Sequence, residues 1–222
     1  MAGAASGILL AQNMRIQIAS GLDAGVAISA VTKATEAVVT VADGTQFTAG
    51  DIVLACDIEG MTELDSQAAR VKTVSTNDIT LESLNSTSFA TFVSSGTPVL
   101  RAVSSLLTVG KATALNAANA TANRIPTTTL EDSEEQFVFG LKSNPEISLS
   151  VLIDPLGATT ARVREVSDSN EQVPVVITFN NGNVVVFNSY INGGDGFEAS
   201  PGQPITQTWA LSRIRKAIWY AS

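Results

Sequence analysis

Apolar and polar positions alternate with a period of two along most of this chain, and the pattern is densest between residues 172 and 217. Residues 173–179 and 184–191 are rich in β-branched and aromatic side chains, and Asn180-Asn181-Gly182-Asn183 lies between them. Two such runs predict an antiparallel hairpin, and the central Asn-Gly suits the positive φ angles of a type I′ turn. With Asn181-Gly182 as a two-residue loop, Phe179 is expected opposite Val184, Ile177 opposite Val186, Val176 opposite Phe187 and Val173 opposite Tyr190. Both faces of this hairpin are then apolar. It needs the domain's own core on one side and a helix or a neighbouring subunit on the other, a first hint of assembly.

The remaining chain reads as further short strands. After an Ala- and Gly-rich opening, Met14, Ile16 and Ile18 alternate with polar neighbours, predicting a mobile arm that leads into one strand. Strands are expected at residues 37–41, 51–58, 71–74, 79–84 and 99–103. Asp43-Gly44, Ala49-Gly50-Asp51, Glu59-Gly60, Thr76-Asn77-Asp78 and Gly96-Thr97-Pro98 supply turns between them. That spacing suits a small barrel or sandwich. It divides the chain into an arm and first strand (1–24), a small β-module (25–104) and a larger β-domain (105–222). Residues 107–115 alternate again, with Leu107, Val109, Thr113 and Leu115 on one face and small residues on the other. Residues 116–136, poor in large apolar groups and ending in an acidic run, read as a long loop.

A strand resumes at 137–141, and Ile147, Leu149, Val151 and Ile153 then alternate with Ser148 and Ser150. Asp154-Pro155 predicts a helix, with Asp as N-cap and Pro at the first helical position. It should run to about Ser167 and carry Leu156, Thr160, Val163 and Val166 as a narrow apolar stripe. The last strand, 205–214, turns Ile205, Trp209 and Leu211 one way and Thr206, Thr208, Ala210 and Ser212 the other. The fold class read from these elements is mainly β, with one helix.

Composition narrows the function. Hydrophobic residues make up 45 %, enough for a packed core, while charged residues make up only 15 % and the formal net charge is −8. This balance argues against gripping nucleic acid through phosphates, and a weakly charged surface suits a protein packed against copies of itself. One cysteine allows no intrachain disulfide, and the absence of histidine excludes Cys/His zinc sites and Ser-His-Asp catalysis. Cys56 shares a face with Ile52, Leu54 and Ile58 and reads as a core thiol. No basic region precedes Ile8-Leu9-Leu10 and no apolar run reaches membrane-spanning length, so a soluble protein made in a cytoplasm is expected, without membrane insertion.

Two acidic clusters invite a chemical reading. Asp57, Glu59, Glu63 and Asp65 surround one turn, and Asp195 and Glu198 sit in a Gly-rich link where calcium or acid–base chemistry could be imagined. Neither has EF-hand spacing, and turn chemistry alone accounts for both. No catalytic residue, metal or cofactor is assigned. Arg213-Ile214-Arg215-Lys216 is the sole basic cluster. On a strand, Arg213 and Arg215 would share a face with Lys216 opposite, suiting ion pairs at a subunit boundary.

Several motifs carry a family resemblance. Asn181-Gly182-Asn183-Val184-Val185-Val186-Phe187, Tyr190, a Gly-rich link and a Thr/Ser-alternating strand ending in Arg213-Ile214-Arg215 resemble the end of major tail tube proteins of long non-contractile-tailed phages. Leu130-Glu131-Asp132-Ser133, leading through Lys142-Ser143 to Ile147-Ser148-Leu149, Asp154-Pro155 and a helix, is similar to the middle of that family. Phe47-Thr48-Ala49-Gly50-Asp51-Ile52-Val53, Gly60-Met61-Thr62-Glu63-Leu64-Asp65 and Asp78-Ile79-Thr80-Leu81 resemble a small β-barrel module recurring in phage structural proteins, here placed as an insert.

The resemblance implies an antiparallel β-sandwich flanked by one α-helix, plus the inserted barrel. It further implies stacked hexameric rings that form the tail's DNA conduit in the virion, assembled in the host bacterial cytoplasm. Expected partners are further copies, the tape measure, tail tip and terminator proteins, and duplex DNA in transient, non-adhesive passage. Thr206, Thr208 and Ser212 become candidate lumen residues. Leu130, Glu131, Asp132, Glu134 and Glu135 become a candidate contact loop between rings, ordered on contact with Arg213, Arg215 or Lys216 of another subunit. The module at 25–104 is expected to project outward and to be removable without loss of the tube. Competing readings are a β-rich adhesin or carbohydrate-binding domain, and a hydrolase using Asp195 and Glu198.

Overall fold

The computed structural model describes residues 12–131 and 133–221, so the expected N-terminal arm falls mostly on residues outside the description, as does Asp132. The described chain is mainly antiparallel β with one α-helix. Its strands are β1 (Arg15–Leu22), β2 (Val26–Val31), β3 (Val38–Val41), β4 (Ile52–Cys56), β5 (Ala68–Ser75), β6 (Asp78–Leu81), β7 (Val99–Thr108), β8 (Ala112–Ala117), β9 (Ala122–Pro126) and β10 (Phe137–Lys142). They continue with β11 (Glu146–Leu152), β12 (Gln172–Thr178), β13 (Val184–Asn192), β14 (Thr206–Arg213) and β15 (Ile218–Tyr220), and α1 (Ala158–Ser169) separates β11 from β12.

Six strands pair in a closed circuit: β2 with β3, β3 with β6, β6 with β5, β5 with β4, β4 with β7, and β7 back to β2. Leu54, Met61, Leu64, Ile79, Leu81 and Leu100 fill its interior and are essentially fully buried. β7 then runs on past the circuit. Its second half pairs with β1, Ile18 opposite Leu107 and Leu22 opposite Val103, and from β1 the order continues β12, β13, β14, β11, β8. A division of the chain at residue 104 therefore cuts through one continuous strand. The second core lies on the face of this larger sheet covered by α1, where Val163 and Val166 meet Ile18, Leu149, Val175, Phe187 and Leu211.

The hairpin of β12 and β13 forms, one residue out of the expected register. Ile177 faces Val185, Val176 faces Val186, and Val173 faces Ser189. The loop has three residues, because Gly182 N–H donates to Phe179 O (3.0 Å) and Phe179 N–H donates to Asn183 O (2.9 Å). Gly182, at φ +85°, takes the left-handed position that follows a type I turn and makes a bulge, in place of the second position of a two-residue loop. Asn183 N–H also donates to Asn181 Oδ1 (3.0 Å), tightening the three-residue form.

Both hairpin faces are buried, and the chain itself covers both. Val175, Ile177, Val185 and Phe187 belong to the core under α1, whereas Val176 and Val186 join the barrel core together with Ile218 and Tyr220 of β15. One face thus has the helix cover that was expected, from α1, and the other is covered by the barrel, without a neighbouring subunit. On β4, likewise, Val53 and Ala55 are as buried as Ile52 and Leu54, so the strand has two apolar faces and Cys56 at its end is only half-buried.

Four further expectations are corrected. The helix starts at Ala158, with Gly157 as an N-cap that offers no side-chain bond. Asp154 instead closes a turn through its carbonyl to Gly157 N–H (3.0 Å) and pairs with Lys111 (3.6 Å), and Leu156 is left exposed ahead of the helix. Residues 107–115 are not one strand, since Lys111 at φ +58° turns the chain between β7 and β8. The long loop at 116–136 contains β9, which pairs with β10. Finally, β14 ends at Arg213, and β2 was not anticipated because Ala27, Ser29 and Ala30 dilute its alternation.

Candidate functional site

Among the described residues, packing leaves three surfaces unsatisfied. The first is the outer face of β14, β11 and β8. Residues directly opposite in an antiparallel ladder point the same way, so the pairings Glu146–Ser212, Ser148–Ala210, Ser150–Thr208 and Leu152–Thr206 set the three candidate lumen residues on one face. β8 continues that face, with Asn116 opposite Ser148 and Ala114 opposite Ser150. Hydroxyls knit the face at low relief. Ser150 Oγ lies 3.5 Å from Thr208 Oγ1, and Thr113 Oγ1 donates to Ser150 O (3.1 Å). Glu146 is the only charged residue on these positions. On the opposite face Trp209, Leu211 and Gln207 are buried, and the Gln207 amide has no hydrogen-bond partner among the described residues.

β8 also ends the sheet. Ala118 N–H donates to Glu146 O (3.1 Å), and the alternation of an antiparallel ladder turns the N–H groups of Ala117 and Leu115 away from β11. Among the described residues, the outer edge of β8 is therefore an open row of donors and acceptors.

The second surface is the arm formed by β9 and β10, a two-stranded sheet separate from the large one. Ile125, Phe137, Val138, Phe139 and Leu141 are all exposed on it. Its internal support is aromatic: Phe137 and Phe139 meet edge-to-face at 5.3 Å, and the Arg124 guanidinium sits 4.7 Å from the Phe137 ring centroid. At its tip, Thr127 N–H donates to Gln136 O (2.9 Å) and Gln136 N–H donates to Thr128 Oγ1 (2.8 Å), which closes the neck of the acidic loop. Within that loop Leu130 is fully exposed, and Glu131, Glu134 and Glu135 are exposed beside it. The fourth acid, Asp132, lies outside the described residues.

The third is a groove of about 820 Å³ between the barrel and the C-terminal strands, where the basic cluster collects. The three cations do not act alike. Arg215 is committed inside the chain, donating from Nε to Asp65 O (2.8 Å) and from its terminal nitrogen to Thr62 O (2.7 Å). It ties the link after β14 to the barrel, so it does not share a free face with Arg213. Arg213 and Lys216 form no ion pair among the described residues, and burial pushes the Arg213 guanidinium below the usual arginine range.

The acidic clusters are used structurally. Asp65 Oδ1 accepts from Ile58 N–H (3.2 Å), Glu63 accepts from Ala90 N–H (3.3 Å) and Glu59 accepts from Ser95 Oγ. Asp195 pairs with Arg164 (3.1 Å), and Glu198 bridges to Thr206 through its backbone. Burial pushes the Cys56 thiol up to about 11, away from nucleophilic use. The site is therefore a set of contact surfaces. Comparison with known proteins agrees: a family model described as phage tail tube protein matches residues 59–221, from the turn after β4 to the last described residue. No curated protein matches the chain.

Proposed function

The chain belongs to the phage tail tube proteins, a structural family and not an enzyme family, and from that membership we propose that it builds stacked six-membered rings. The rings form the tail tube of a long non-contractile-tailed phage, the conduit through which the genome is ejected. The observation that carries this reading is the outer face of β14, β11 and β8, which is low, hydroxyl-rich and free of cations, and ends at an unpaired strand edge. A channel for sliding duplex DNA needs such a face, and a closed ring needs an edge that the next copy can complete.

Charge supports non-adhesive passage. Six copies at −8 each give a ring of −48 formal charges, and without a cationic lining the phosphates find no counterion-releasing contacts. The six-strand circuit at residues 25–104 is placed on the outside as an inserted barrel. Tape measure, tail tip and terminator proteins are the further partners in the virion tail, and assembly takes place in the host cytoplasm.

Electron microscopy of the concentrated protein, or of virions carrying it, tests the reading. Stacked six-fold rings are expected, and ordered particles of another symmetry would overturn it. Tight duplex binding at moderate salt with a steep salt dependence would refute the non-adhesive wall.

A further inference from the structure

We propose that the acidic tip of the β9–β10 arm of one copy docks into the basic groove at the base of the same arm in a second copy. The proposal deepens the tube reading, on which it rests for where the two copies sit.

Four observations lead to it. An isolated two-stranded hairpin is marginal in water, and this one exposes five large apolar side chains, so it requires cover that the described residues do not provide. Its tip is closed at the neck by Thr127, Thr128 and Gln136, which holds the two ends of the acidic loop together before docking. The sequence from 127 to 136 carries four acids and no base. The groove carries the opposite charge: Arg213, Arg215 and Lys216 line it against a single carboxylate, Glu63. A partly desolvated guanidinium without a carboxylate, as at Arg213, is costly to leave unpaired.

Geometry decides which copy supplies the tip. Ala120, Asn144 and Pro145, which flank the arm's base, line the groove themselves. From Ala122 to Thr128 the arm extends six residues, about 20 Å, away from it. A chain's own tip therefore cannot reach its own groove. The contact is heterologous, knob of one copy into socket of the next, and contacts of this kind propagate into closed rings or stacks. In the docked state Glu134 and Glu135 pair with Arg213 and Lys216, while Leu130 lies against Phe89 and Trp219, the latter held by stacking on Phe179 at 5.6 Å.

The test uses full-length chains. A Leu130→Cys chain and a Ser88→Cys chain are mixed, assembled and oxidised. A disulfide-linked pair is expected in the mixture and in neither chain alone, with the half-buried Cys56 taking no part. In parallel, the tip variant Glu134→Lys/Glu135→Lys and the groove variant Arg213→Glu/Lys216→Glu should each lower sedimentable assembly about tenfold or more, and the two combined in one chain should restore it. The tip variant changes only exposed side chains, so unfolding cannot explain its effect. Normal assembly from it, or no mixed disulfide in assembled material, overturns the docking. If six-fold rings persist in both reversals, this contact falls and the ring reading stands. If cross-linked pairs form in particles lacking six-fold rings, the ring reading falls and the contact stands.

Discussion

Replacing Tyr220 by Phe probes the joint between the barrel and the C-terminal sheet. Tyr220 ends β15, which pairs with β13 through Val184–Tyr220, and its ring is buried in the core that the barrel shares with the hairpin. The phenol oxygen accepts a hydrogen bond from Arg70 N–H on β5 (2.8 Å). The Arg70 guanidinium lies 4.4 Å from the ring centroid and is clamped by both Glu82 oxygens at 2.6 and 2.8 Å. Burial pushes the phenol up to about 12 from the ordinary value of 10.0. A raised pKa favours the neutral form in the folded state, so this contribution is complete below about pH 10 and is lost as pH rises through about 12. Two units correspond to about 2.7 kcal/mol. In the Phe variant the Arg70 N–H loses its acceptor, costing about 1–2 kcal/mol at neutral pH, but the alkaline loss tied to Tyr220 disappears. Urea unfolding of both proteins at pH values from about 7 to 12 should show the stability gap closing, then reversing, as pH rises. A gap that stays constant across that range would refute the reasoning.

Other expectations follow from single contacts. Val163→Ala empties a fully buried position where α1 meets β13 and should cost about 2 kcal/mol in a thermal melt. Cys56, with its thiol pushed up to about 11, should react with a thiolate-selective alkylator near pH 8 about a hundredfold more slowly in the native than in the unfolded chain. Ala117→Pro removes an outward N–H from the β8 edge and should block ring closure while leaving the monomer's melting temperature nearly unchanged. Excising residues 25–104 uncovers Val176, Val186, Ile218 and Tyr220 and removes half of β7, so it should yield insoluble chain. A soluble, ring-forming product would show that the barrel is dispensable after all.

Strand existence was legible wherever one face alternated over four or more residues, as in β11, because period-two burial is written directly into the sequence. Register was not. Asn180-Asn181-Gly182 satisfies a two-residue turn and a three-residue turn with a bulge equally well, since both put Gly182 at positive φ, and the choice shifts every cross-strand pair by one. β9 escaped because Ala-Asn-Arg-Ile-Pro has almost no alternation of its own, and only pairing with β10 makes it a strand. The helix begins four residues after Asp154, whose carbonyl closes a turn to Gly157 N–H and leaves Gly157 as the N-cap. The basic cluster was visible as a charge run, but its division was hidden. Arg215 is claimed by Thr62 and Asp65, some 150 positions earlier in the chain, and no local pattern records such a contact.

The same non-local packing moves the case for assembly to a different part of the molecule. From sequence, the doubly apolar hairpin calls for a helix or a neighbouring subunit on its second face. In the fold, the barrel core takes Val176 and Val186, and the helix-covered core takes Val175, Ile177, Val185 and Phe187, so the hairpin is closed before any copies meet. What stays open is the β8 edge and the β9–β10 arm, and neither contributes a fully buried residue to either core. Folding and assembly should then be separable. Val163→Ala should lower the melting temperature and leave ring geometry intact, whereas Ala117→Pro should do the reverse. If the core substitution alone abolished rings at temperatures well below its melt, the subunit's core and its assembly surfaces would be energetically coupled, and the hairpin would again be the place to look for the coupling.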